Sequence, residues 1–133
     1  MPRDTATENT SSFKRLGDSY HFSIENHQDL QKILELDEAL WIATTAPCST
    51  LKTDKTFLEF LDSDCDERLR AEEIKDGIRY LLENLNDHSS IQENNTSLPL
   101  AAVSEVSKAG RQIRSSAEKV LKRLNQTSDF ITL

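Results

Sequence analysis

The sequence predicts an all-α fold, a helical domain of about five helices with at most a short two-stranded β bridge. Three observations carry that prediction. Apolar residues recur at steps of three and four along several stretches, which gives each helix one buried stripe. Residues that cap helices (Asn26, Asp37, Thr53, Asp54) stand just ahead of the stretches in the first half of the chain. Period-two alternation, the mark of a half-buried strand, is read only at residues 20–24.

The elements follow in order. Residues 1–12 are polar, with Asp4 and Glu8 and no apolar run, and read as a disordered tail. Residues 20–24 read as a short strand. Asn26 can cap a helix running to about Leu36, with Leu30, Ile33 and Leu34 inward. Asp37 can start another over residues 37–45, burying Leu40, Trp41 and Ile42, which Pro47 ends. Residues 53–61 place Phe57, Leu58 and Leu61 on one helical face. Residues 71–85 do the same with Ile74, Ile78, Leu81, Leu82 and Leu85. Residues 86–97 form a polar linker, and Leu98 to Leu100 an apolar latch around Pro99. A long helix is predicted over residues 101–124, with Val103, Val106, Ile113, Ala117, Val120 and Leu124 inward after a gap at Ala109 and Gly110. No internal repeat shows at a fixed period.

Between two of these helices lies the most specific feature of the chain. Residues 62–73 read Asp-Ser-Asp-Cys-Asp-Glu-Arg-Leu-Arg-Ala-Glu-Glu. Carboxylates stand at loop positions 1, 3 and 5, and a glutamate at position 12. A hard cation such as calcium takes six to eight oxygen ligands. Asp62, Asp64 and Asp66 alternate, so a winding loop can turn all three inward. Arg68 would contribute its backbone carbonyl. Glu73 can reach back with both oxygens from the start of the next helix. The spacing, with a helix on each side over residues 53–85, resembles the EF-hand calcium-binding family.

The resemblance implies one calcium ion held by Asp62, Asp64, Asp66, the Arg68 carbonyl and Glu73. It also implies that Leu69 forms a short strand with a second loop. Two positions depart from the family pattern. The sixth, usually glycine because the chain turns there with positive φ, is Glu67. The ninth, which usually offers an oxygen, is Arg70. Both changes should weaken binding. The end of the chain, Asn125 to Leu133, reads as the start of a truncated second hand, with Ile131 antiparallel to Leu69. The chain is therefore expected to be a piece of a longer protein. Residues 36–47 (Leu-Asp-Glu-Ala-Leu-Trp-Ile-Ala-Thr-Thr-Ala-Pro) leading into the loop are similar to the N-terminal region of longer bacterial EF-hand proteins of unknown function. That similarity implies no activity.

Composition bounds the function. The 133 residues suffice for a single domain, taken as residues 13–133. The net charge of −7 is unevenly spread. Lys108, Arg111, Arg114, Lys119, Lys122 and Arg123 face Glu105, Glu118 and Asp129, so residues 101–133 carry +3 and residues 1–100 carry −10. The long helix has no aromatic side chain and the body is acidic, which argues against nucleic acid as a partner. No stretch approaches the roughly 20 apolar residues a membrane helix needs, and no signal peptide is read. Cys48 and Cys65 form no CxxC pair and suit a reducing, cytoplasmic compartment. Four Asn-x-Ser/Thr triplets, at Asn9, Asn94, Asn95 and Asn125, read as chance in that setting. His21, His27 and His88 are scattered, and no nucleophile or phosphate-loop motif occurs, so catalysis is not expected. The expected function is a calcium-binding module, regulatory or structural. Its partners would be the calcium ion, the rest of its own chain or another protein. The alternative is a metal-free helical interaction or scaffold domain with a degenerate loop.

Overall fold

The structure, a computed structural model, describes residues 13–41, 45–92 and 94–132. The tail expected at residues 1–12 and the Ile42 assigned to the core lie outside the described residues. The all-α expectation is overturned. Among the described residues, four α-helices are combined with three separate two-stranded antiparallel sheets, so the fold is mixed α/β. The strands Phe13–Leu16, Thr45–Pro47 and Ser97–Pro99 escape a sequence reading because they are only three or four residues long. A period-two pattern needs more residues than that to show.

The chain opens on a hairpin of β1 (Phe13–Leu16) and β2 (Ser19–Phe22). Its two-residue turn begins at Gly17, whose φ of 63° lies in the region glycine enters freely. The rings of Phe13 and Phe22 meet edge to face at 5.2 Å. Helix α1 (His27–Glu35) follows a reciprocal cap. Asn26 Oδ1 accepts from the amides of Gln28 and Asp29, while Asp29 Oδ2 accepts from the Asn26 amide.

The helix expected at residues 37–45 does not form. Asp37 caps only a 3-10 turn, Glu38–Leu40, and Thr45–Pro47 is a strand, β3. The chain leaves the helical region already at Trp41, whose backbone is extended (φ −80°, ψ 138°). Helix α2 (Lys55–Leu61), strand β4 (Arg68–Arg70) and helix α3 (Ala71–Asn84) form close to where the apolar stripes put them. Asp54 caps α2 through the Phe57 amide at 2.9 Å. Helices α1 and α2 both lie against α3, and Ile33, Leu58, Leu69, Ile78 and Leu85 are buried.

The remaining elements are β5 (Ser97–Pro99), α4 (Lys108–Arg123) and β6 (Phe130–Thr132). The long helix therefore starts at Lys108 rather than 101. Residues 100–104 are instead tied to the end of α3. The Asn86 amide donates to the Ala102 carbonyl, and the Ser104 amide to the Asn84 carbonyl, each at 2.8 Å. Val103 is buried in this tie, whereas Val106, expected inward, is 90% exposed. Gly110 accounts for the gap in the apolar stripe. A Cβ there would stand 2.0 Å from the Ser104 carbonyl oxygen, so no other residue fits.

The structure contains a repeat that the sequence conceals. Strands β3 and β5 each end on a proline, Pro47 and Pro99. Each proline leads into a 3-10 turn, Cys48–Thr50 and Leu100–Ala102. A capped helix follows, α2 or α4, then a loop of equal length (residues 62–67 and 124–129), then the return strand, β4 or β6. Hydrogen bonds match across the two units. The Cys48 amide donates to the Glu67 carbonyl and the Leu100 amide to the Asp129 carbonyl, both at 2.8 Å. The Arg68 amide donates to Asp66 Oδ1 and the Phe130 amide to Ser128 Oγ. No fixed period appears because α4 has 16 residues and α2 has 7.

This repeat corrects the expected strand pairing. Leu69 pairs with Ala46 and Ile131 pairs with Leu98, so each return strand joins the strand that opened its own unit. The two loops are not bridged through Leu69 and Ile131. Proline fits these sheets because Pro47 and Pro99 stand opposite Arg68 and Phe130, at positions where the ladder needs no amide donor. Among the described residues no helix is long and apolar enough to cross a membrane.

Candidate metal centre

The loop between α2 and β4 is wound by its own first carboxylate. Asp62 sits at the C-terminal end of α2 and is 8% exposed. Its Oδ1 accepts from the Asp66 amide at 3.1 Å and its Oδ2 from the Glu67 amide at 2.8 Å. Asp66 Oδ1 in turn accepts from the Arg68 amide at 2.9 Å. These short loops of hydrogen bonds are what aspartate side chains favour in turns. They bring the predicted residues Asp62, Asp64 and Asp66 together. One carboxylate oxygen from each lies within 4.8 Å of the other two.

The sheet aims the fourth predicted ligand. The Cys48–Glu67 hydrogen bond sets the phase of the ladder, which makes Leu69 and Ala46 the bonded pair. Arg68 then has both backbone groups on the side away from β3. Its amide already serves Asp66, so its carbonyl opens to that same, carboxylate-bearing side. The side chain of Arg68 is not involved, since its Nε donates to Thr45 Oγ1.

Glu73 stands apart from the three aspartates. It lies in the first turn of α3 and is 8% exposed. Its Oε1 accepts from the Ser63 amide at 2.9 Å and the Ser63 hydroxyl at 3.0 Å, and its Oε2 from the Arg70 amide at 3.0 Å. Those bonds, led by the one from the Arg70 amide, hold its carboxyl below the ordinary carboxylate range. In this arrangement Glu73 staples the two ends of the loop. To bind a cation with both oxygens it must release those donors.

Arg70 is the residue whose role the loop spacing conceals. Its guanidinium reaches over the loop and donates one N–H to Asp64 Oδ2 and another to Asp66 Oδ2. The hydrogen bond from Arg70 lowers the Asp64 pKa, and the same bond raises that of Arg70. A tethered cation thus faces two of the three converging carboxylates. The available signal was a positive charge at the ninth position, six and four residues from Asp64 and Asp66. Which way its side chain would turn was not legible.

The positive φ expected at the sixth loop position is present at Glu67, φ 62°; Cys65, φ 57°, also lies in the left-handed region, which was not expected. A residue with a Cβ pays roughly 1 kcal/mol there. Replacing Glu67 by Gly is expected to raise unfolding free energy by about that amount and to tighten divalent-cation binding. Chemical denaturation and calcium titration of the variant check both. Weaker binding would mean that the Glu67 side chain itself meets the cation. Cys48 and Cys65 are free thiols. Burial, with Asp62 and Asp66 nearby, raises the Cys48 pKa and keeps that thiol protonated.

The second unit repeats the framework without the charges. Its loop, residues 124–129, reads Leu-Asn-Gln-Thr-Ser-Asp. Ser128 performs the turn made by Asp66, but no carboxylate stands in the places of Asp62 and Asp64. A second feature is a cleft of about 990 Å³ that α2, α3 and the opening hairpin line with apolar side chains. Phe57 and Phe60 on its rim are 53% and 60% exposed. Trp41 also lines it, with an indole N–H that is buried without a partner among the described residues. Family models, curated proteins and solved structures were compared with the chain, and none matches.

Proposed function

We propose that this chain is a calcium-binding helix–loop–helix module of the EF-hand kind, serving a regulatory or structural role. The observation that carries the reading is the convergence of Asp62, Asp64 and Asp66 on a loop wound with a left-handed sixth residue. Three carboxylates and a backbone carbonyl make an all-oxygen donor set, which suits a hard divalent cation. When bound, calcium would tie α2 to the start of α3 by taking Glu73 from the Ser63 and Arg70 amides. Binding is expected at the weak end of the range, roughly 10⁻⁵–10⁻³ M. Arg70 has to be displaced from Asp64 and Asp66, and Glu73 must leave its present donors. The two unpaired cysteines favour a reducing compartment.

Isothermal titration at neutral pH and low salt is expected to give a single site, with a rise in melting temperature at about 10 mM calcium. A ligand that binds only the folded state must stabilise it. No heat and no thermal shift would remove the reading. A second reading is a metal-free interaction domain, favoured by the ion pairs of Arg70 within the loop and by the exposed Phe57 and Phe60. It would be retained if calcium has no effect.

A further inference from the structure

The apolar cleft lined by α2, α3 and the opening hairpin has a polar end that the proposed metal site does not use. Two residues make that end. Trp41 lines the cleft, and its indole N–H is buried without a partner among the described residues. Lys75 of α3 is 8% exposed. Its ammonium donates to the Leu36 carbonyl at 3.2 Å and stands 6.0 Å from the centre of the Trp41 ring. Leu36 and Trp41 both line the cleft, which puts the ammonium against the same wall. An ammonium has three N–H donors, and the carbonyl takes one. Among the described residues no carboxylate pairs with Lys75. Glu38 feels its charge but is hydrogen-bonded to Glu72 instead. A buried charge is costly unless an opposite charge and hydrogen bonds compensate it.

The rest of the cleft is apolar. Its volume of about 990 Å³ is at the upper end for small-molecule sites. Leu30, Ile33, Ile74 and Ile78 line it, and Phe57 and Phe60 stand exposed at its rim. An apolar cleft that ends on an N–H donor and an unpaired ammonium matches one chemistry, an apolar chain that ends in a carboxylate. The chain removes apolar wall from water, and the carboxylate accepts from both donors. A partner helix has its backbone groups bonded internally and would answer the aromatic rim alone.

We infer that this cleft binds a medium- or long-chain carboxylic acid, its chain against Leu30, Ile33 and Ile78 and its carboxylate accepting from Trp41 Nε1 and Lys75 Nζ. The inference does not depend on cation binding, and its test is run in EDTA. Trp41 is the only tryptophan in the chain and reports on the site directly. Dodecanoate is the probe, titrated into the full chain and followed by Trp41 emission and by calorimetry. One site is expected, with a dissociation constant on the order of 10⁻⁵–10⁻⁴ M. Dodecanol, the same chain without the charge, should bind at least about tenfold more weakly. Lys75→Met keeps an apolar stem and removes the cation. It should weaken dodecanoate by about tenfold or more and leave dodecanol unchanged. Circular dichroism checks that the variant folds, and the two ligands compared on the wild-type chain decide the matter if it does not. The inference is overturned if no saturable change appears at about 1 mM dodecanoate, or if dodecanol binds as tightly. Undiminished dodecanoate binding in folded Lys75→Met overturns it as well, as do amide shifts that map to α4 instead of the cleft. So does self-association of the chain that Phe57→Asp abolishes, because a second copy would then be the occupant.

Discussion

Glu73→Gln is expected to remove most calcium binding and, separately, to lower stability. The carboxylate joins the loop to the start of α3 through Ser63, and a neutral amide brings a cation one weak oxygen instead of two charged ones. The fold also depends on it. Glu73 accepts from the Ser63 amide, the Ser63 hydroxyl and the Arg70 amide, and Gln can satisfy only one side of that staple. Losing a charge-assisted bond of this kind costs on the order of 1–3 kcal/mol, and the favourable charge at the first turn of α3 goes with it. The pH dependence follows from the lowered Glu73 pKa. Its contribution is fully present above the unfolded-state value, near 4.3, and is lost as pH falls through the lower folded value. Chemical denaturation at pH 7 and below pH 4 should show the wild-type chain converging on the variant. A variant as stable as wild type at pH 7 would mean the staple contributes nothing.

Arg70→Ala is expected to act in the opposite direction on binding. With the guanidinium gone, Asp64 and Asp66 face an incoming cation without a competitor, and the repulsion between Arg70 and bound calcium disappears. Both ion pairs are partly solvent-exposed, so each is modest. Together with the removed repulsion they correspond to calcium binding tighter by roughly tenfold. Without calcium the variant should be less stable than wild type, because three carboxylates then face one another unscreened. Titration calorimetry and melting curves with and without calcium separate the two effects. Weaker binding in Arg70→Ala would show that the guanidinium positions the aspartates for the cation rather than competing with it.

Much of this chain was legible locally. The caps at Asn26 and Asp54 and the stripe of α3 come from interactions within a few residues, and such signals survive in a sequence. The winding of residues 62–67 is of the same kind. Asp62 and Asp66 hold their neighbours' amides, and the sixth position demands positive φ whatever residue occupies it. The convergence of Asp62, Asp64 and Asp66 was therefore implied by spacing. So was the departure at Glu67.

What the sequence did not determine are the choices among distant partners. Leu69 is a suitable strand residue for either Ala46 or Ile131, and only the path of the chain selects Ala46. Once Pro47 and Pro99 open their two units, each return strand lies beside its own beginning, and a three-residue strand carries no pattern that would say so. The start of α4 moved because the end of α3 captures residues 102–104, an interaction with segments about 20 residues earlier. Arg70 could have extended into solvent, and its turn toward Asp64 and Asp66 rests on where the loop places them. By itself the sequence determined the helix caps, the apolar stripes and the convergence of Asp62, Asp64 and Asp66. The tertiary structure decided which strands meet and what faces the donors, because those depend on energies shared between segments that no local pattern records.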